Sequence, residues 1–221
     1  MSIPPPHPKS LPKNTCIIRD DGNEILMYAE YKVTYEPMER YPLEIHDKIV
    51  ELHEQIYDDP ESAIPKLLEL RERYPTLPVL CNYLTMAYGN NNEIEKTKFW
   101  IKKTYQLFPD YLFAKTNLAH LYLTSGQIEK IEKIFDGKWD LKFLYPDRDV
   151  FHITEVTAFY VFMADFHLYK GELPEAKDCL NLLVKLDPEH PQIPRLQKIF
   201  DFKKTPMEKL KNLIFKKLKD D

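Results

Sequence analysis

Pro75, Pro109 and Pro188 each close a stretch with the same grammar, and this recurrence constrains the fold more than any other feature of the chain. Twelve residues before each proline stands an alanine or threonine (Ala63, Thr97, Ala176), and eight before it a large aliphatic residue (Leu67, Ile101, Leu180). Pro75 and Pro109 are 34 residues apart. A proline removes a backbone donor and turns the residue before it away from the helical conformation, so each of the three marks a helix exit. A fixed period of this length belongs to chains built from units that cannot bury their apolar faces alone and stack to do so.

Between these exits the pattern is helical. Ile45, Ile49, Leu52 and Ile56 recur at three- and four-residue steps and lay one apolar stripe along a helix. Asp59 before Pro60 and Asn92 before Glu93 offer side-chain oxygens to the orphan amides of a helix start, and Thr205-Pro206-Met207-Glu208 forms a capping box. From Pro75 to Asn92 there is no charge, as expected of a buried helix with its turns. With only 5 glycines, the chain has no glycine-rich phosphate loop.

Four units start near Glu44, Pro78, Leu112 and Thr157. The second carries Leu84, Tyr88, Ile101 and Pro109; the third carries Leu118, Ala119, Tyr122, Gly126 and Phe135; the fourth carries Ala164, Gly171, Ala176, Leu180 and Pro188. In this register the chain resembles the tetratricopeptide repeat family, whose pattern runs W, L, G, Y in the first helix and A, F, P across the second and its exit. The resemblance implies an all-α, right-handed α-solenoid of about four helix pairs with a C-terminal capping helix. Glu51 and Glu54 depart from it in the first unit, where a small residue and an aromatic are usual. The third unit departs further, because 79 residues separate Pro109 from Pro188 where two periods need 68. The eleven extra residues fall within 136–152, and the family gives no role for them.

The chain thus divides into an N-terminal segment (1–42), the repeats (43–191) with their insertion (136–152), and basic C-terminal capping helices (192–221). Pro4, Pro5, Pro6, Pro8 and Pro12 make residues 1–14 an extended, non-helical arm, and Asp20-Asp21-Gly22-Asn23 suits the turn of a short hairpin. From Arg195 to Asp221 nine Lys or Arg face four Asp or Glu, with Met207, Leu210, Ile214 and Leu218 on one side of the last helix. Such a helix can bind an anionic membrane or a nucleic-acid backbone. The reading adopted is a cap with its lysines in solvent, since terminal repeats need a polar outer face.

The net charge of −4 gives no sign of general nucleic-acid affinity. No signal peptide is expected in the arm, and no stretch offers the roughly 20 apolar residues of a membrane span. Cys16, Cys81 and Cys179 read as reduced core residues, which together with these absences points to the cytoplasm. No catalytic constellation and no cofactor site is read: the acid pairs Asp20-Asp21 and Asp58-Asp59 suit turns and caps. His46 with His53, and His152 with Glu155, lack the third ligand a metal site needs. A metal or enzymatic site using His152, Glu155 and His167 is kept as an alternative.

Trp139, Phe143, Tyr145 and Arg148 crowd together in the insertion. They either carry function, as long loops on regular scaffolds do, or the three aromatics plug a gap between the third and fourth units. By the resemblance, first helices line a concave groove. Its exposed positions are Val79, Asn82, Tyr83, Met86 and Asn90, then Phe113, Thr116, Asn117, His120 and Thr124, then Val161, Phe162, Asp165 and Tyr169. The implied partner is a protein or extended peptide, with asparagines bonding its backbone and Tyr83, Met86, Phe113 and Phe162 receiving its apolar side chains. The same aromatics also suit the inside of a tight superhelix. The clamp with which some members hold a chaperone's C-terminal carboxylate is missing, since Leu52, Tyr83, Phe113 and Thr116 stand in its polar places. A protein-binding scaffold or adaptor is therefore expected, with a specialised bacterial chaperone for secreted proteins as the alternative.

Overall fold

A computed structural model describes residues 16–20, 23–27, 31–35 and 41–203, with the backbone alone for 16–20, 23–27, 43, 202 and 203. The proline-rich arm, the capping box at Thr205 and the helix from Met207 lie outside the described residues. Two short strands, β1 (Cys16–Asp20) and β2 (Asn23–Met27), pair antiparallel from Cys16↔Met27 to Asp20↔Asn23, as the hairpin expectation requires. After β3 (Lys32–Thr34) come α1 (Leu43–Asp58), α2 (Pro60–Arg73), α3 (Pro78–Asn90), α4 (Ile94–Leu107), α5 (Leu112–Thr124) and α6 (Ile128–Phe135). The chain continues through α7 (Leu141–Leu144), β4 (Val150–His152), α8 (Ile153–Lys170), α9 (Leu173–Leu186) and α10 (Ile193–Lys203). The fold class is all-α. Two compact units divide it: one is Tyr31–Phe159, the other Met1–Glu30 with Tyr160–Asp221.

In the unit from Tyr31 to Phe159, each helix from α1 to α6 packs on the next, and α1 also packs on α3. The spacing seen in the sequence is present in the backbone: α2, α4 and α6 start at Pro60, Ile94 and Ile128, and α3 and α5 at Pro78 and Leu112, all in steps of 34. The prolines explain the exits. Tyr74, Phe108 and Asp187, each just before one of them, have φ/ψ of −126/65, −135/66 and −147/80, outside the helical region as the proline ring demands. Each still donates its amide to the carbonyl four residues back, at 2.8 Å, which closes the helix with the same turn three times.

The turns inside the helix pairs are as regular. Asn92, Gly126 and Gly171 hold φ of 59°, 71° and 79°, a left-handed conformation that glycine adopts freely and asparagine tolerates. The next amides, of Glu93, Gln127 and Glu172, donate to Tyr88, Tyr122 and His167 carbonyls at 2.9 Å. Asn92 is therefore the turn residue and not the helix cap the sequence suggested; the cap position is Glu93, whose carboxylate accepts from the side-chain amide of Asn91 at 2.9 Å. Asp59 does cap α2, accepting the Ser62 amide at 3.2 Å.

The stripe of Ile45, Ile49, Leu52 and Ile56 is at most 4% exposed and joins Ala63, Leu67, Leu70, Leu80 and Leu84 in one core. Each large aliphatic side chain among them contributes about 1.5–3 kcal/mol by leaving water. Glu51 and Glu54 lie on the exposed side of α1, so their departure from the repeat pattern leaves no charge in the core. The insertion alters a helix. Where α2 and α4 run for 14 residues, α6 stops after 8, ended by left-handed Asp136 (φ 52°) and Gly137 (φ 65°). Leu141 and Phe151 are its fully buried side chains, whereas Phe143 is 69% exposed. Of the three aromatics expected to fill a gap, Phe143 does not; Trp139 meets Phe135 with ring centroids 5.6 Å apart, and Tyr145 meets Phe151 at 5.9 Å.

Candidate functional site

α1, α3 and α5 share a face on which α3 and α5 are almost free of charge. From Pro78 to Asn90 there is no Asp, Glu, Lys, Arg or His, and the one lysine of α5, Lys115, is buried. Burial lowers the proton affinity of that lysine, and Asp110 at 3.8 Å opposes the shift. Tyr83, Met86, Phe113, Asn117 and His120 are half-buried on this face, while Val79, Asn82 and Thr116 are buried. Thr116 sits back on its own helix, its hydroxyl donating to the Leu112 carbonyl at 3.1 Å.

The asparagines of this face bond protein groups. Asn117 donates its side-chain amide to the Asn82 carbonyl oxygen at 2.9 Å, and Asn82 donates to the Met86 sulfur at 3.8 Å. Asn90 donates to the Ile56 carbonyl at 3.0 Å, satisfying an orphan acceptor in the last turn of α1. These bonds tie α5 to α3 and α3 to α1. The aromatic line is longer than the groove positions imply. The His53 ring lies 5.3 Å from Tyr83 and 5.5 Å from Tyr57, which is 59% exposed. His53 and Tyr57 are four residues apart on α1, a spacing that puts both on one helix face and could have flagged them. Beside this face, a cleft of about 360 Å³ opens between Thr97 and Ile101 of α4 and Asn117, His120 and Thr124 of α5.

The remaining expected residues, Phe162, Asp165 and Tyr169, belong to the other unit. Phe162 is fully buried and stacks on Phe166 at 5.9 Å, so it is core there. Asp165 receives both guanidinium nitrogens of Arg195, at 2.8 and 2.9 Å, joining α8 to α10. Tyr169 is 55% exposed. Nearby, Glu172 accepts Lys170 at 2.6 Å and meets His167 at 2.7 Å; the Lys170 ammonium first, and His167 second, hold its carboxyl below the usual range.

In the insertion, Arg148 grips Glu155 at 2.7 and 3.0 Å and lies 4.2 Å above the Phe151 ring. Glu155 also accepts the His152 amide at 3.1 Å, and the His152 ring bonds Thr154 at 2.8 Å. The pair considered for metal binding is thus engaged with protein groups. Among the described residues, no group of three His, Cys, Asp or Glu side chains gathers as for a metal ion, and no helix is long and apolar enough to cross a membrane. Cys81 and Cys179 are buried free thiols, and burial pushes Cys179 up to about 12.

No protein-family model matches the chain, and no curated protein or solved structure is detectably similar to it.

Proposed function

We propose that the chain is a tetratricopeptide-like adaptor, in which the face of α1, α3 and α5 between Tyr31 and Phe159 binds an extended, weakly charged segment of a partner protein. The observation that carries this reading is the aromatic line of Tyr57, His53 and Tyr83, together with half-buried Met86 on α3 and Phe113 on α5, where α3 and α5 expose no formal charge. Half-exposed aromatic and thioether groups supply contact area at small cost in side-chain entropy, and they are enriched where partners dock. The ties of Asn117 to Asn82 and of Asn90 to Ile56 hold the helices in place before a partner arrives, which lowers the ordering cost of binding.

The test is selection of binding peptides from a random library on the full chain, followed by affinity measurement with Tyr83→Ala plus Phe113→Ala. A loss of about tenfold or more is expected. Phe99→Ala, on α4 and 57% exposed, is expected to leave affinity unchanged. Equal affinity for the wild type and the double variant places binding elsewhere and sinks the reading.

A further inference from the structure

Lys115 stands 34 residues after Cys81, at the place in the repeat where α3 has a residue that is 0% exposed. It is itself 8% exposed, and among the described residues it is the only buried Lys, Arg, Asp or Glu. An ammonium thus lies where the preceding helix pair places a neutral thiol, and taking such a charge out of water is costly unless it is well paired.

The pairing is poor. Among the described residues the one ion contact of Lys115 is with Asp110, in the turn before α5, at 3.8 Å, and that carboxylate is 97% exposed. Arg71 Nε is the one fully buried side-chain nitrogen or oxygen without a hydrogen-bond partner among the described residues; Lys115 Nζ makes no hydrogen bond either, so its tip keeps an opening to solvent. Beside α3, α4 runs for 14 residues, whereas beside α5 the shortened α6 runs for 8 and ends at left-handed Asp136 and Gly137. The charged groups that act on Lys115 are Asp110 from before α5, and Lys138 and Asp136 from beyond the end of α6. Burial, first, lowers its proton affinity; Asp110 opposes this, Lys138 adds to it and Asp136 opposes it. The neutral amine is the nucleophilic form, and desolvation is a usual way in which a lysine is activated.

We propose that Lys115 is a site of covalent acylation, which takes a short acyl group from a thioester donor. The Nζ lone pair attacks the thioester carbonyl carbon; a C–N bond forms, the C–S bond breaks, and the sulfur leaves as a thiol with the proton that the amine gives up. The product is a neutral amide, so the reaction removes the charge that burial disfavours. With 11% of the side chain exposed, the opening suits a short acyl chain. The site stands or falls independently of the peptide-binding reading.

The probe is the acetyl thioester of N-acetylcysteamine, added in excess to the full chain at pH 7.5, with acetylation of each lysine followed by peptide mass spectrometry. Lys102, exposed on α4, is the reference. In the folded chain Lys115 is expected to react about fivefold or more faster than Lys102, and in urea the two are expected to react alike. The Lys115 rate is also expected to level off at a lower pH in the folded chain than in urea, because its folded proton affinity is the lower one. Asp110→Asn, at an exposed position, removes a carboxylate that favours the ammonium and is expected to raise the Lys115 rate about twofold with Lys102 unchanged. A Lys115 rate at or below that of Lys102 in the folded chain, a plateau at the same pH as in urea, or no rise in Asp110→Asn overturns the proposal.

Discussion

Asn117 on α5 donates its side-chain amide to the carbonyl oxygen of Asn82 on α3 at 2.9 Å, across 35 residues of sequence. Asn82 is 8% exposed, so its oxygen has little access to water if the donor is lost. Asn117→Leu is expected to destabilise the chain by about 1–3 kcal/mol in urea unfolding. In a double-mutant cycle with Asn82→Leu the coupling is expected to exceed about 0.5 kcal/mol, and a coupling of zero denies the bond.

Two glycine substitutions are expected to move stability in opposite directions. Gly171 holds φ of 79° with open space where a Cβ would stand, so Gly171→Ala costs only the left-handed strain, about 1–2 kcal/mol. Gly89 lies in α3, where an added Cβ meets Thr97 at an ordinary 3.8 Å, so Gly89→Ala is expected to stabilise by about 0.5–1 kcal/mol. Thermal unfolding of the two variants checks the signs.

Cys81 and Cys179 are 0% and 8% exposed, and burial raises the proton affinity of both thiols. In a Cys16→Ser variant, a thiol-specific reagent at pH 8 is expected to react only as fast as the protein unfolds, because the thiolate is the nucleophile. Both thiols should react at once in denaturant. Rapid reaction under native conditions contradicts their placement.

Glu172 is held charged by Lys170 and then His167, so its folded pKa lies below its unfolded one. The stability this contributes is present above the ordinary carboxylate range of about 4.3 and is lost as pH falls through the folded value. The difference in unfolding free energy between the wild type and Glu172→Gln is expected to shrink on acidification below about pH 4. A difference independent of pH means that the carboxylate is not held in this way. The one-third exposure of the Glu172 side chain makes the effect small and sensitive to salt.

Much of the helical part of this fold is legible in the sequence because its signals are short. Pro75, Pro109 and Pro188 act on the residue just before them, and Gly126 and Gly171 act on their own backbone, so the helix limits can be read within a few residues. Asn92 misleads for the same reason, since asparagine suits both a cap and a left-handed turn, and its equivalence to Gly126 at a step of 34 selects the turn. The candidate site is less legible. Asn82, Asn117 and Asp165 suit ligand contacts by their positions, yet Asn82 and Asn117 bond each other and Asp165 bonds Arg195, partners 30 to 35 residues away. His53 and Tyr57 escape a reading by groove positions, because their place in the aromatic line depends on how α1 meets α3 at Tyr83.

The sequence by itself determined where α2, α4 and α9 end, which faces are apolar, and that 136–152 breaks the period, because proline geometry and apolar spacing act locally. Tertiary structure alone decided that the break cuts α6 short, that β4 pairs with Lys32–Thr34, and which polar groups tie helices to one another. The physical reason is that a polar group shielded from water must find a donor or acceptor, and which one lies within reach depends on helices and strands brought together from distant parts of the chain.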